Sequence, residues 1–200
     1  MKKFFVYLFL LTLSGCNYWA IQQAGEFKVS NYSVNTPVEW NTIKEGNLIT
    51  WTQDGAYLGA IHFFSDVRDG SELIYGNQQP LKCPGEASQM DANKKPKKWV
   101  YKKTMTEIEI VDLFGETYKN RLCWPEFSYS DLKKEKFGSV DGFAFKFNLT
   151  GDDGLKHKGM AKGVVIEDKL NIIVYRGTEL YHYNKYLDLV NQIFASTQTI

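Results

Sequence analysis

Between residues 132 and 176 the chain reads as four β-rich runs divided by short turn signals, and no other stretch restricts the fold as much. The runs cover about 132–138, 142–150, 155–167 and 169–176. Ser139-Val140-Asp141-Gly142, Gly151-Asp152-Asp153-Gly154 and Glu167-Asp168-Lys169 stand between them at hairpin intervals. Asp-Gly steps supply the positive φ that tight hairpins need, so the pattern predicts a meander of neighbouring antiparallel strands. A closing helix is expected over 181–195, where Tyr183, Tyr186, Leu187, Val190, Ile193 and Phe194 recur at helical spacing.

The first half is less regular. Phe27 to Val34 alternates apolar and polar residues, the period-two signature of one half-buried strand, and Thr36-Pro37 breaks it. Runs at 47–52 and 56–64, joined by Gln53-Asp54-Gly55, read as an antiparallel pair. Thr104 followed by Glu107 fits a capping box and predicts a helix over about 105–122, with Ile108, Val111, Phe114, Tyr118 and Leu122 on its core-facing stripe. Strands in runs with helices set apart from them argue for an α+β domain over 27–200, with a central, mainly antiparallel sheet covered by helices. Residues 66–103, rich in Gly, Pro, Gln, Asn and Lys, make a connection long enough to suggest a functional or mobile loop.

The N-terminus gives an address. Lys2 and Lys3, about ten mostly apolar residues from Phe4, and Ser14-Gly15 form the layout of an exported signal peptide over 1–15. The apolar run is too short to span a bilayer, which takes roughly 20 residues. Leu13-Ser14-Gly15-Cys16 resembles the lipobox of bacterial lipoproteins, which implies lipidation of Cys16 and a tether over 16–26. Asn17 in place of an aspartate implies the periplasmic face of the outer membrane. Removing the leader takes away Lys2 and Lys3 and no acid, so the formal charge of +1 becomes −1. A near-neutral exported chain has no general attraction for nucleic acid.

The C-terminal half carries a further likeness. Asp153-Gly154-Leu155, Gly159, Gly163, Asp168-Lys169-Leu170 before Asn171 to Tyr175, then Tyr186-Leu187 and Ile193-Phe194-Ala195-Ser196, resemble PsbP-like proteins. That family has an α/β/α sandwich and includes photosystem subunits, a Ran-binding import factor and bacterial lipoproteins. The resemblance implies a non-enzymatic accessory or assembly role, without the photosystem or Ran partners.

No catalytic motif, phosphate loop or dinucleotide fingerprint is present, and no cofactor is expected. With Cys16 lipidated, Cys83 and Cys123 are an even pair in an oxidising compartment, the ordinary setting of a disulfide. Asn93 to Lys103 concentrates Lys94, Lys95, Lys97, Lys98, Lys102 and Lys103 around Trp99 and Tyr101. The run is either a solvated loop or, through Lys94, Lys95, Lys97, Lys98, Trp99 and Tyr101, a contact for an anionic envelope surface or an envelope protein. His62, His157 and His182 are too far apart in sequence for a local zinc motif and are the weak candidates for a metal-binding or hydrolytic alternative. A periplasmic ligand carrier, using Trp40, Trp51, Trp99 and Trp124 with Tyr175, Tyr181, Tyr183 and Tyr186, is the other alternative, against core packing as the default.

Overall fold

The computed structural model describes residues 20–75 and 99–200. In chain order the strands are β1 (Ala20–Gln22), β2 (Gly25–Val29), β3 (Tyr32–Thr36), β4 (Trp40–Glu45), β5 (Leu48–Thr52) and β6 (Gly59–Val67). Helix α1 (Glu107–Arg121) follows, then β7 (Glu126–Phe137), β8 (Val140–Thr150), β9 (Lys156–Ile166), β10 (Lys169–Thr178), α2 (His182–Ala195) and β11 (Gln198–Thr199). Eight strands form one antiparallel sheet in the order β1-β4-β5-β6-β10-β9-β8-β7, and β11-β3-β2 form a small second sheet. The expected α+β domain, with an antiparallel sheet covered by helices, is what forms.

Each face of the large sheet has its own core. On one, Phe64, Phe143, Phe145, Phe147, Ile172 and Val174 pack under Val111, Phe114 and Tyr118 of α1. On the other, Trp51, Ile61, Phe63, Val164, Ile173 and Tyr175 lie beneath Val190 and Ile193 of α2 and Tyr32 and Val34 of the small sheet. Among the described residues the edge strand β7 pairs with β8 alone, and Asp131 and Leu132 together oppose the single residue Phe145, a β-bulge with Asp131 at φ 54°.

The meander and closing helix are where the sequence puts them, with one turn displaced. The β7–β8 connection is Gly138-Ser139, whereas Asp141 and Gly142 lie inside β8. Gly142 is there for space: a Cβ would sit 2.4 Å from the Gly163 carbonyl. Gly159 and Gly163 serve a related purpose, for Phe147 and Phe143 lie directly opposite them across the β8–β9 ladder and fold their rings over the bare backbone.

Three expectations from the first half need correction. Phe27 to Val34 is a hairpin rather than one strand, turning at Ser30, φ 54°. The two-residue turn shifts the alternation by one position, so that Val29 and Tyr32 face the same side, and the adjacent polar pair Ser30-Asn31 is its trace in the pattern. Strand β4 has only Trp40 buried among six residues, too weak a pattern to register. Within the span 16–26 expected as a tether, Ala20–Gln22 pair with β4 and Gly25 and Glu26 pair with β3.

Helix α1 starts two residues later than expected. The sequence offers two overlapping boxes, Thr104-x-x-Glu107 and Thr106-x-x-Glu109, and the second is used: the Thr106 amide donates to Glu109 Oε2 at 2.7 Å and the Glu109 amide to Thr106 Oγ1 at 3.4 Å. Residues just before are committed elsewhere, because the Lys103 amide donates to Asp69 and the Tyr101 amide to Ser71. The shift leaves Ile108 56% exposed and turns Ile110 and Leu113 inward.

Two substitutions test these assignments. Gly159→Ala would drive a methyl to about 2.1 Å from the Phe147 ring, so it should cost roughly 1–3 kcal/mol, read as a lower urea midpoint at constant slope. Thr106→Ala should cost about 1 kcal/mol, while Thr104→Ala should stay within about 0.5 kcal/mol of wild type in the same assay.

Candidate functional site

Strand β10 is buried along almost its whole length, as its central position requires. Alternation sends Ile173 and Tyr175 to the α2 face and Ile172 and Val174 to the α1 face, and the same alternation carries Arg176 to the α1 face. A guanidinium is thereby placed inside the sandwich, 6% exposed, at the end of the sheet beyond the C-terminus of α1. Removing such a charge from water costs several kcal/mol unless its surroundings replace the lost contacts.

The replacement comes from three sequence-distant segments. Nη2 donates to the Ala56 carbonyl at 2.8 Å and Nη1 to the Tyr57 carbonyl at 3.2 Å, with His157 Nδ1 3.3 Å from Nη1. The indole of Trp124 lies 5.0 Å from the guanidinium carbon, a cation–π contact in a desolvated place. That indole also stacks on Tyr57 at 5.6 Å and meets the His157 ring edge-on at 4.6 Å. Trp124 reaches inward because the chain leaves α1 through Cys123 at φ 58°, with the Trp124 amide donating to the Tyr118 carbonyl. Tyr118, fully buried, sets its hydroxyl against the guanidinium, close enough for the two groups to perturb each other's ionisation.

The loop supplying the two carbonyls is pinned on both sides. The Tyr57 hydroxyl donates to Asp153 at 2.8 Å. Asp54 accepts from Lys185 at 2.6 Å and from the Tyr186 hydroxyl at 2.7 Å, with His182 Nε2 at 3.6 Å. Both carboxyls are held below the usual range: Asp54 by Lys185 first and then Tyr186, Asp153 by the Leu155 amide first and then Tyr57.

Both chamber histidines are neutral at pH 7. Burial, then the charge of Arg176, pushes His157 down to about 4. The same two causes hold His62 well below the ordinary imidazole range, and its Nδ1 lies 3.1 Å from Thr50 Oγ1. The chamber is therefore cationic through Arg176 alone, and rich in donors.

The three histidines do not converge on a metal. His62 engages Thr50, His157 engages Arg176, and His182 engages Thr178 and Asp54. Among the described residues no group of three or more His, Cys, Asp or Glu is placed to hold an ion. Cys16, Cys83, Lys94, Lys95, Lys97 and Lys98 lie outside the described residues. Tyr101 is fully buried and Trp99 is half-buried against the α1-side core. Tyr101 therefore cannot meet a surface: its amide and carbonyl are zipped to Ser71 and Gly70, which turns the ring inward. Trp40 and Trp51 stack on each other at 5.9 Å inside the α2-side core, consumed by packing rather than lining a groove. A concavity of about 390 Å³ beside Phe194 does hold Lys133, Lys146, Lys162, Asp131 and Glu135. Its charges are paired off as Lys146–Asp131, Lys133–Glu135 and Lys162–Glu135.

Sequence reading identified His157 and Trp124 separately and missed Arg176, Tyr57 and Tyr118 as partners. The available signal was the arginine closing the apolar run Ile172 to Tyr175, at a position alternation marks as buried.

No protein-family model matches the sequence, and neither does any curated protein. Among solved structures the chain is similar to the solution structure of cyanobacterial PsbP (CyanoP) from Synechocystis sp. PCC 6803, with a TM-score of 0.52 and 9% identity over 94% of this chain and 96% of that one. At that identity the likeness speaks for the fold, which is PsbP-like.

The depressed histidines set a pH dependence. Between the unfolded value near 6.5 and about 4 for His157, the unfolded chain binds protons that the folded one refuses, so stability is complete above that window and is lost as pH falls through it. The urea midpoint should drop steadily from pH 7 to pH 4.5, and His157→Gln should flatten that drop.

Proposed function

We propose that this chain is a lipid-anchored cell-envelope protein, acylated at Cys16, that acts without catalysis by binding a protein or envelope partner in an accessory or assembly role. The observation carrying the reading is the position of β1. Ala20, four residues after Cys16, is already paired with Thr42 in the sheet. Four residues reach at most about 14 Å, so an anchor at Cys16 would hold the domain close against the bilayer rather than on a long leash. Two or three acyl chains bind a membrane firmly where one does not.

Direction adds to this. Because β1 runs antiparallel to β4, with Gln22 opposite Trp40, the chain before Ala20 arrives from the side of the Glu45–Leu48 turn. Trp99 to Lys103 enters the fold at that same end: the Asn47 amide donates to Tyr75, Gly70 pairs with Tyr101, and Lys103 lies 3.3 Å from Asp168. The lysines at 94–98 directly precede Trp99 in sequence, and each Lys brought near an anionic surface would contribute about 1 kcal/mol. With Trp99 and Tyr101 turned inward, the contact rests on the lysines.

The outer membrane, periplasmic side, is the compartment that Asn17 favours. A Cys83–Cys123 bridge suits that compartment; it would close roughly 40 residues and contribute about 4 kcal/mol in the chain-entropy model. The PsbP-like fold agrees with an accessory role.

Mass spectrometry of the N-terminal peptide from membranes should show an acylated Cys16, and Cys16→Ala should move the protein to the soluble fraction. An unmodified Cys16 on membrane-bound protein would remove the anchor from the reading.

A further inference from the structure

Four polar atoms in the Arg176 chamber make no well-formed hydrogen bond: Arg176 Nε, Tyr118 Oη, which lies against the guanidinium, His157 Nε2 and His62 Nε2. Their residues are 6%, 0%, 1% and 6% exposed. Buried polar groups are paired as a rule, and each orphan costs about as much as a lost hydrogen bond, so four in one chamber call for a physical explanation.

The orphans share a chemical sense. Arg176 can only donate, so His157 Nδ1, facing Nη1 at 3.3 Å, carries a lone pair and the neutral ring keeps its proton on the unpartnered Nε2. Arginine has five N–H groups. Nη1 is engaged with Tyr57 and His157 and Nη2 with Ala56, which leaves Nε–H and one Nη2–H. An Nε–H and an Nη2–H on one edge of a planar guanidinium form the fork that matches the two oxygens of a carboxylate.

No carboxylate meets that edge among the described residues. Asp153, the acid of the chamber wall, spends its oxygens on Tyr57 and the Leu155 amide. Carbonyls and an indole solvate the guanidinium, but they do not neutralise it.

We propose that the open edge of Arg176 is the binding site of a small free carboxylate of formate or acetate size, with the Tyr118 hydroxyl and the His157 Nε2–H as further donors beside it. One negative charge answers one positive charge. A doubly charged oxyanion would leave excess charge buried beside neutral histidines, and a lone water would satisfy donors while leaving the cation without a counter-ion. Size is limited by the wall of Trp124 and Tyr57 over a residue only 6% exposed. The proposal is independent of the anchor at Cys16 and survives or fails without it.

The test uses the full chain at pH 7.5, with the thermal midpoint followed in rising sodium acetate against sodium chloride at equal ionic strength. Acetate should raise the midpoint along a saturable curve that chloride does not reproduce. Arg176→Lys, which keeps the charge and loses the fork, should abolish the acetate response. Tyr118→Phe should weaken apparent acetate affinity about 3- to 10-fold, and it stands in if Arg176→Lys does not fold. Equal responses to acetate and chloride would overturn the site, as would an acetate response unchanged in Tyr118→Phe and Arg176→Lys. A stronger response to N-acetylglycine than to acetate would overturn the small-acid assignment in favour of a chain terminus.

Discussion

The ring of Phe114 is the contact on which the sandwich depends. It lies within about 4.5–6.3 Å of Phe64, Tyr118, Phe127, Phe145 and Phe147, which belong to β6, α1 itself, β7 and β8. Strands far apart in the sheet order are thus gathered under one helix. Aromatic pairs at such distances contribute about 0.5–1.5 kcal/mol each beyond their buried area. The glycines of β9 belong to the same device, because only a bare backbone lets Phe143 and Phe147 lie flat across the ladder and leave room above for α1.

How far the sequence could be read follows from where information is local. The meander of β7 to β10 and the closing helix were legible because tight turns and helical periodicity are written in adjacent residues. Ser30-Asn31 left only a one-residue slip in the alternation, two polar residues in a row between Val29 and Tyr32, and β4 was illegible because a strand with one buried residue has almost no pattern. Thr104 and Thr106 presented equal boxes, and the choice between them was made by Asp69, 34 residues away from Lys103. Leu13 to Cys16, the cysteine pair and the lysine run were legible as short patterns, and Leu13 to Cys16, Cys83 and Lys94 to Lys98 lie outside the described residues.

The Arg176 chamber escaped for another reason. Its members come from β10, β9, the 53–58 loop and the exit of α1. Each has an ordinary explanation alone: His157 as a strand histidine, Trp124 as a core aromatic, Tyr57 as a loop residue. Only their meeting exposes a cation without a counter-ion. Arginine at an inward position was the one irregularity visible beforehand, a local rule broken in the middle of a consistent fold, which is where function or strain concentrates.

The bulge at Asp131 bears on how copies of this molecule coexist. A straight twelve-residue edge strand would offer its outer amides and carbonyls as a template on which another chain could extend the sheet. Two residues facing one break that ladder in the middle, and Lys133, Lys134, Glu135 and Lys136 make what remains a charged edge. The sheet thus carries its own chain terminator, and crowding raises local concentration without opening a path to fibrous growth from that side.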